Sequence, residues 1–115
     1  MDVQIFGVKN DATVRKALRF FKERRIGVHF VDFKERAPSK GELQRFFQRF
    51  GEHAVIDRDS KRFQALGLQA AHYGPERWME IASEEPLILC MPLVRHGKDL
   101  TVGLAEETWR DWATR

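Results

Sequence analysis

The sequence predicts an α/β fold built on a four-stranded mixed sheet, and three observations lead to that prediction. A β-rich run at residues 3–6 is followed by a stretch of helical periodicity and then by a second β-rich run at residues 28–33. Helical patterns punctuated by turn residues fill the middle of the chain. Further apolar runs then flank the polar turn "HGKD", a pattern typical of a β-hairpin.

The first third of the chain predicts a βαβ unit. Apolar residues fall at i, i+3, i+4 and i+7 on one face of a helix over about residues 12–25: Val14, Ala17, Leu18 and Phe21. We expect Gly27 to adopt the left-handed conformation that ends this helix. The segment "VHFVDF" shows little alternation, which predicts a strand covered on both faces and parallel to the first strand.

Capping signals divide the middle of the chain into helices. Ser39 and Glu42 form an S-x-x-E capping box before an apolar face that ends at Gly51. Asp59 is expected to cap a shorter helix, and Pro75 suits the first position of another. No stretch in residues 51–85 resembles the extra parallel strand that a small doubly wound fold, the competing architecture, would require.

The last third predicts ββα. "LILC" and "LVR" are interpreted as strand on either side of Pro92, "LTVG" as the returning strand, and the tail as a helix that packs Trp109 and Trp112 on the sheet. The order βαβ, helices, ββα is a thioredoxin-like plan. We therefore expect one domain over residues 1–115, with halves at about 1–36 and 86–115 and a helical insertion at about 37–85.

Composition limits the function classes. The net charge is +3, with seventeen acidic residues interspersed among twenty basic ones, so no direct nucleic-acid binding is expected. A single cysteine, a start without a basic and apolar leader, and no apolar run of about 18 residues predict a cytoplasmic protein without a membrane segment. The four histidines lack ligand spacing, and no phosphate loop or catalytic triad order occurs, so neither metal nor cofactor is predicted.

Five segments, in order, resemble the arsenate reductase (ArsC) and Spx family over nearly the whole chain. They are "IFGVKNDATVRKALRFF", "FVDFKERAPSKGEL", "FQALGL", "PLILCMPLV" and "VGLAEETW". The resemblance implies the thioredoxin-like fold. It also implies that residues 10, 11 and 92 form the loop region where the family places its active site.

This chain departs from the family at the nucleophile. The family carries a cysteine at the start of the first helix, where free N–H groups lower the pKa of the thiol; here the residue is Asp11. A carboxylate is a good N-cap, but it cannot carry out thiol–disulfide exchange. Its charge would also oppose arsenate by about 1–4 kcal/mol at contact distance.

Other family positions extend the comparison. The family has an arginine before the proline that matches Pro92, whereas this chain has Met91, which cannot donate to an oxyanion. The resemblance implies a cis peptide bond at Pro92. Arg58 lies near a basic anion contact of the family and is a candidate anion-binding residue. Cys90 is either a small buried hydrophobe or a relocated redox thiol.

Three functions follow as hypotheses. The first is a non-enzymatic binding or regulatory protein with a protein partner, since Spx, in the same family, acts by binding RNA polymerase. The alternative is a thiol-dependent oxidoreductase that uses Cys90 or a partner thiol, with glutathione and glutaredoxin as co-reactants. The third is a carboxylate-based activity at Asp11, which lies beside Asn10 in the loop.

Overall fold

The computed structural model describes residues 1–114, and its centre is one four-stranded mixed sheet. The strand order is β2-β1-β3-β4; β1 runs parallel to β2 and antiparallel to β3, and β3 runs antiparallel to β4. The predicted four-stranded mixed sheet is therefore confirmed. The strands span Asp2–Gly7 (β1), Gly27–Asp32 (β2), Leu93–His96 (β3) and Asp99–Val102 (β4).

The first helix, α1, spans Ala12–Glu23 and buries Val14, Ala17 and Phe21 of the predicted face. Leu18 of that face is half-buried, and Phe20, which the spacing did not include, is buried. The end of this helix differs from the prediction. Arg25 takes the left-handed conformation, at φ 57°, and Gly27 is instead the first residue of β2. A Cβ at position 27 would meet the carboxylate of Asp2, which is the end of an exposed side chain that can rotate away, so glycine is not required there.

The predicted double coverage of β2 is wrong. This strand lies at the edge of the sheet, and within it only Val31 is buried. Phe30, which lies on the other face of the strand, is half-buried. A short apolar run therefore does not distinguish a central strand from an edge strand whose aromatic residues are partly covered.

The inserted segment forms four helices. They span Lys40–Phe50 (α2), Glu52–Val55 (α3), Lys61–Ala65 (α4) and Pro75–Glu84 (α5), with single 3₁₀ turns at Leu68–Ala70 and Pro86–Ile88. The predicted capping box is confirmed, because the Ser39 hydroxyl accepts the Glu42 N–H at 3.1 Å and the Glu42 carboxylate accepts the Ser39 N–H at 2.8 Å. Burial raises the pKa of Glu42, but hydrogen bonds from Arg36 and Ser39 lower it by more. The pKa of Glu42 is therefore below its usual value.

The cap of α4 is Ser60, and the prediction of Asp59 is wrong. The Ser60 hydroxyl accepts the Phe63 N–H at 3.2 Å. The Asp59 N–H donates at 3.0 Å to the carboxylate of Asp57, which makes an Asx-type turn before the helix. Asp57, Asp59 and Ser60 are all residue types that can cap a helix. The turn formed at Asp57 places Ser60 at the N-cap position.

The prediction that "LILC" is a strand is also wrong. Its first residues form the 3₁₀ turn, and Leu89 makes only an isolated antiparallel bridge with Ile56. The Asp57 N–H donates to Ile88 O at 2.8 Å, and the Cys90 N–H donates to Val55 O at 2.8 Å. This segment therefore pairs with the insertion instead of extending β3.

The two faces of the sheet carry separate cores. One face packs against α1 and the last helix, α6 (Glu106–Thr114), whose Trp109 is fully buried and donates to the Thr101 hydroxyl at 2.8 Å. The other face packs Phe6 against the insertion, around Trp78. Among residues 1–114, no helix has the length and apolar character needed to cross a bilayer.

Candidate functional site

Asp11 ends the loop after β1 and caps α1. Its backbone is extended, and its carboxylate accepts the Val14 N–H at 2.9 Å. Its own N–H donates to Val8 O at 3.2 Å, which closes the loop. The predicted N-cap is thus confirmed, and the first turn of α1 binds a side-chain carboxylate.

A surface cavity of about 360 Å³ opens beside this helix start. Two carboxylates and the only thiol of the chain share it, and no cationic side chain lines it. The cavity is lined by Asp11, Thr13, Asp57, Ser60, Leu87, Leu89, Cys90, Met91, Gly103 and Leu104. This arrangement is the inverse of an oxyanion site, which needs cationic or N–H donors.

Cys90 lies in the connection before β3 and is half-buried, so the interpretation as a buried hydrophobe in a strand is corrected. A Cβ placed on Gly103 would lie 3.7 Å from its sulfur. Burial raises the pKa of the Cys90 thiol, and the charges of Asp57 and Asp11 raise it further. The environment therefore favours the neutral thiol over the thiolate.

Asp57 is the member of this site that the sequence did not reveal. It reaches the cavity because its N–H donates to Ile88 O and the preceding Ile56 bridges to Leu89. These contacts join segments about 30 residues apart in the chain. No local sequence motif around "IDRDS" indicates these long-range contacts.

Arg58, the predicted anion-binding residue, points away from this cavity. Its guanidinium lies 5.1 Å from the centre of the Trp78 ring, in a different cavity that Glu52 and Tyr73 also line. Its Nε atom is buried without a hydrogen-bond partner among the described residues. The structure thus places Asp57, and not Arg58, beside Cys90, and an anion contact by Arg58 next to Asp11 has no support in this geometry.

The peptide bond between Met91 and Pro92 is cis. Met91 lies against the end of β1, since its Cβ is 3.7 Å from the position that a Cβ on Gly7 would take. Pro92 is buried, and its carbonyl accepts the Gly103 N–H at 2.9 Å. Met91 therefore faces the Asp11 loop, while the proline ring lies beneath the surface.

A second depression, of about 380 Å³, lies on the other side of Asp11 and is lined in part by Asn10, Lys61 and Arg62. The Arg62 guanidinium donates twice to the carboxylate of Glu85, at 2.8 and 2.9 Å. Lys61 is exposed and makes no ion pair with a described residue. Lys61 is thus a cation without an ion pair in the depression that Asp11 also lines.

Within residues 1–114, no group of three or more histidine, cysteine or acidic side chains converges as metal ligands do. Of the predicted loop residues, Asp11 lines both depressions, Asn10 lines only the second, and Pro92 lines neither. What the arrangement offers chemically is a neutral thiol, two carboxylates and an apolar rim.

Known proteins are similar to this chain in sequence and in fold. The uncharacterized protein YusI of Bacillus subtilis (strain 168) is 22% identical over 118 residues, covering 98% of this chain and all of YusI. The solved structure of the YffB (PA3664) protein superposes with a TM-score of 0.87 at 22% identity, covering 95% of this chain and 96% of the other. An arsenate reductase from Vibrio cholerae superposes with a TM-score of 0.82 at 20% identity, covering 96% and 97%.

The sheet, its flanking helices and these superpositions define a thioredoxin-like α/β protein. The family model of the ArsC family matches residues 6–112. The chain belongs to the ArsC family, and it is a member without a cysteine at the start of the first helix.

Proposed function

We propose that this protein is a non-enzymatic binding or regulatory member of the ArsC family, which acts on a protein partner. The observation that carries the proposal is the cavity beside α1, which is lined by two carboxylates and by the one thiol of the chain. The scaffold is otherwise intact, with both cores formed and the helix start capped. A retained fold with a lost reaction centre is what a binding protein derived from an enzyme family requires.

Thiol chemistry is disfavoured because the thiolate is the reactive form. An ordinary cysteine is only a few per cent thiolate at pH 7, and the raised pKa of Cys90 places this thiol below that level. The N-terminus of α1 cannot stabilise a Cys90 thiolate in the usual way, since Asp11 already caps it.

Binding of arsenate in the cavity is also disfavoured, because the cavity carries negative charge. Arsenate entering the cavity would meet the charges of Asp11 and Asp57, each opposing it by about 1–4 kcal/mol at contact distance. Met91 offers no hydrogen-bond donor from its side chain, and Arg58 lines another cavity. The thiol-dependent alternative retains one supporting observation, which is that Cys90 is half-buried and lines an open cavity.

An activity assay separates the two functions. Arsenate reduction is measured with glutathione and glutaredoxin for the natural protein and for Cys90→Ser. We expect no turnover from either. Turnover by the natural protein that disappears in Cys90→Ser would overturn the binding proposal in favour of the oxidoreductase.

An engineered thiol supplies the positive control for the scaffold. In the Asp11→Cys, Cys90→Ser double variant, the new thiol stands at the N-terminus of α1, so we expect it to react with a disulfide reagent at neutral pH faster than Cys90 does in the natural protein. This result would show that the helix end still activates a thiol and that residue 11 is what removes the reactivity.

The cytoplasmic location stays a prediction.

A further inference from the structure

The positive charge of this protein is concentrated on one helix. Residues 12–25, which contain α1, include six basic residues and one acidic residue. The remainder of the chain therefore holds fourteen basic and sixteen acidic residues, out of twenty and seventeen in total. The whole excess of positive charge belongs to α1 and the turn after it, while the rest of the molecule is slightly acidic. All six basic side chains are exposed and together form what we call the basic stripe: Arg15, Lys16, Arg19, Lys22, Arg24 and Arg25.

Helix stability does not account for this concentration. Basic residues near the C-terminus of a helix complement its dipole, which explains Lys22, Arg24 and Arg25. Arg15 and Lys16 lie outside the last turn of α1, so the helix dipole does not explain these two residues.

Ion pairing within the molecule does not account for it either. Lys16 and Arg19 are exposed and make no ion pair with any residue between 1 and 114. Arg24 is held differently, with its guanidinium 3.6 Å from the centre of the Phe20 ring and one nitrogen donating to Phe20 O at 3.1 Å. The stripe thus combines one fixed guanidinium with two cations that have no partner in the protein.

The stripe borders a groove. A depression of about 350 Å³ lies between α1 and α6 and is lined by Lys16, Arg19, Phe20, Glu23, Arg24, Glu106 and Arg110. Four of these side chains are basic and two are acidic. The basic residues within α1, from Arg15 to Lys22, cover about 11 Å at the rise of an α-helix.

We infer that this groove, together with the basic stripe beside it, docks an acidic segment of the partner protein. The inference rests on the proposed function and identifies the chemistry of the partner. A segment carrying several Asp or Glu residues over about two helical turns would match the cations of α1, and a single Lys or Arg within it would match Glu23 or Glu106.

A protein segment fits this surface better than a nucleic acid does. A phosphate backbone carries negative charge at every position, so it would meet the carboxylates of Glu23 and Glu106 inside the groove. It would also extend beyond the stripe onto the remainder of the chain, which is slightly acidic. An acidic protein segment of mixed sequence avoids both repulsions.

Fluorescence anisotropy with a defined probe tests the inference. The probe is a fluorescein-labelled 16-residue peptide rich in Glu and Asp, with leucines at helical spacing and one lysine, titrated with the full chain. We expect binding that weakens between about 50 and about 300 mM salt, because exposed charge pairs are screened. Amide shifts in a ¹⁵N NMR titration are expected to lie in α1 and α6. Shifts centred on the Asp11 and Cys90 cavity would overturn the assignment.

Matched charge reversals separate a specific surface from net charge. Lys16→Glu with Arg19→Glu should weaken binding about tenfold or more, while Arg45→Glu with Arg49→Glu, an equal charge change on exposed positions of α2, should weaken it less than about threefold. Equal losses in the two variants would overturn the inference. Lys16→Gln with Arg19→Gln, which removes charge without reversing it, is the second variant, and thermal melts check that all three fold.

An oligonucleotide of similar charge, titrated in parallel, tests the other class of partner. We expect it to bind more weakly than the peptide, and tighter binding would overturn the inference. If the Lys16 and Arg19 variants bind the peptide unchanged while the natural protein shows no arsenate turnover, only the docking surface fails. If turnover is found, the proposed function fails instead.

Discussion

Replacing Asp11 with alanine tests the interpretation of the helix start most quantitatively. The change removes the hydrogen bond that the Val14 N–H donates to the carboxylate at 2.9 Å. Loss of an N-cap costs about 0.5–2 kcal/mol, and the first turn of α1 has no other acidic residue to compensate. Asp57 lines the same cavity, so relief of like-charge repulsion offsets part of the loss. We therefore expect a net loss of about 1 kcal/mol, in the middle of the N-cap range.

The assay is thermal and urea unfolding of the natural protein, Asp11→Ala, Asp11→Asn and Ser39→Ala. A loss of about 1 kcal/mol corresponds to a decrease in Tm of roughly 4 °C for a chain of this size. Asp11→Asn keeps an acceptor and loses only the charge–dipole interaction, so its loss should be smaller than that of alanine. Ser39→Ala removes the cap of α2 and calibrates the experiment. If Asp11→Ala unfolds like the natural protein while Ser39→Ala is destabilised, the capping role assigned to Asp11 is refuted.

Three further changes have defined outcomes. Glu42→Gln should destabilise the protein by about 1 kcal/mol near neutral pH. Because the folded-state pKa of Glu42 is lowered, its contribution is present above the ordinary pKa of about 4.3 and is lost as pH falls through the folded value, so variant and natural protein should converge in acid urea titrations. Trp109→Phe leaves the buried Thr101 hydroxyl without its partner and should cost about 2–4 kcal/mol in urea unfolding; less than about 1 kcal/mol would contradict the packing described. Asp57→Asn should lower the pKa of the Cys90 thiol, seen as faster alkylation at fixed pH, and an unchanged rate would contradict the electrostatic role of that carboxylate.

Local signals in the sequence were sufficient for much of the fold. The capping box at Ser39, the apolar spacing of α1 and the proline at the start of α5 each report on a few neighbouring residues, and the structure has all three. The prediction of the α4 cap failed because two neighbouring residues could each cap that helix. Asp59 and Ser60 were both suitable caps, and the Asp57 turn selected Ser60.

The candidate site was less predictable because long-range pairing assembles it. The position of Asp11 followed from the family resemblance together with ordinary N-cap chemistry. Asp57 did not follow, since backbone contacts between residues 56–57 and 88–89 bring it to the cavity. The apolar character of "LILC" also concealed that Cys90 lies outside a strand and is half-exposed to the cavity.

The pH dependence of Cys90 alkylation tests the central claim most directly. The chain has one cysteine, so the rate of reaction of the native protein with iodoacetamide reports on that thiol alone. With burial and the carboxylates of Asp57 and Asp11 acting against ionisation, the rate should keep rising with pH above about 8.5, the ordinary thiol pKa, without a plateau at lower pH. A plateau with an apparent pKa below about 7 would show a stabilised thiolate and contradict the proposal that this protein is a non-enzymatic member of its family.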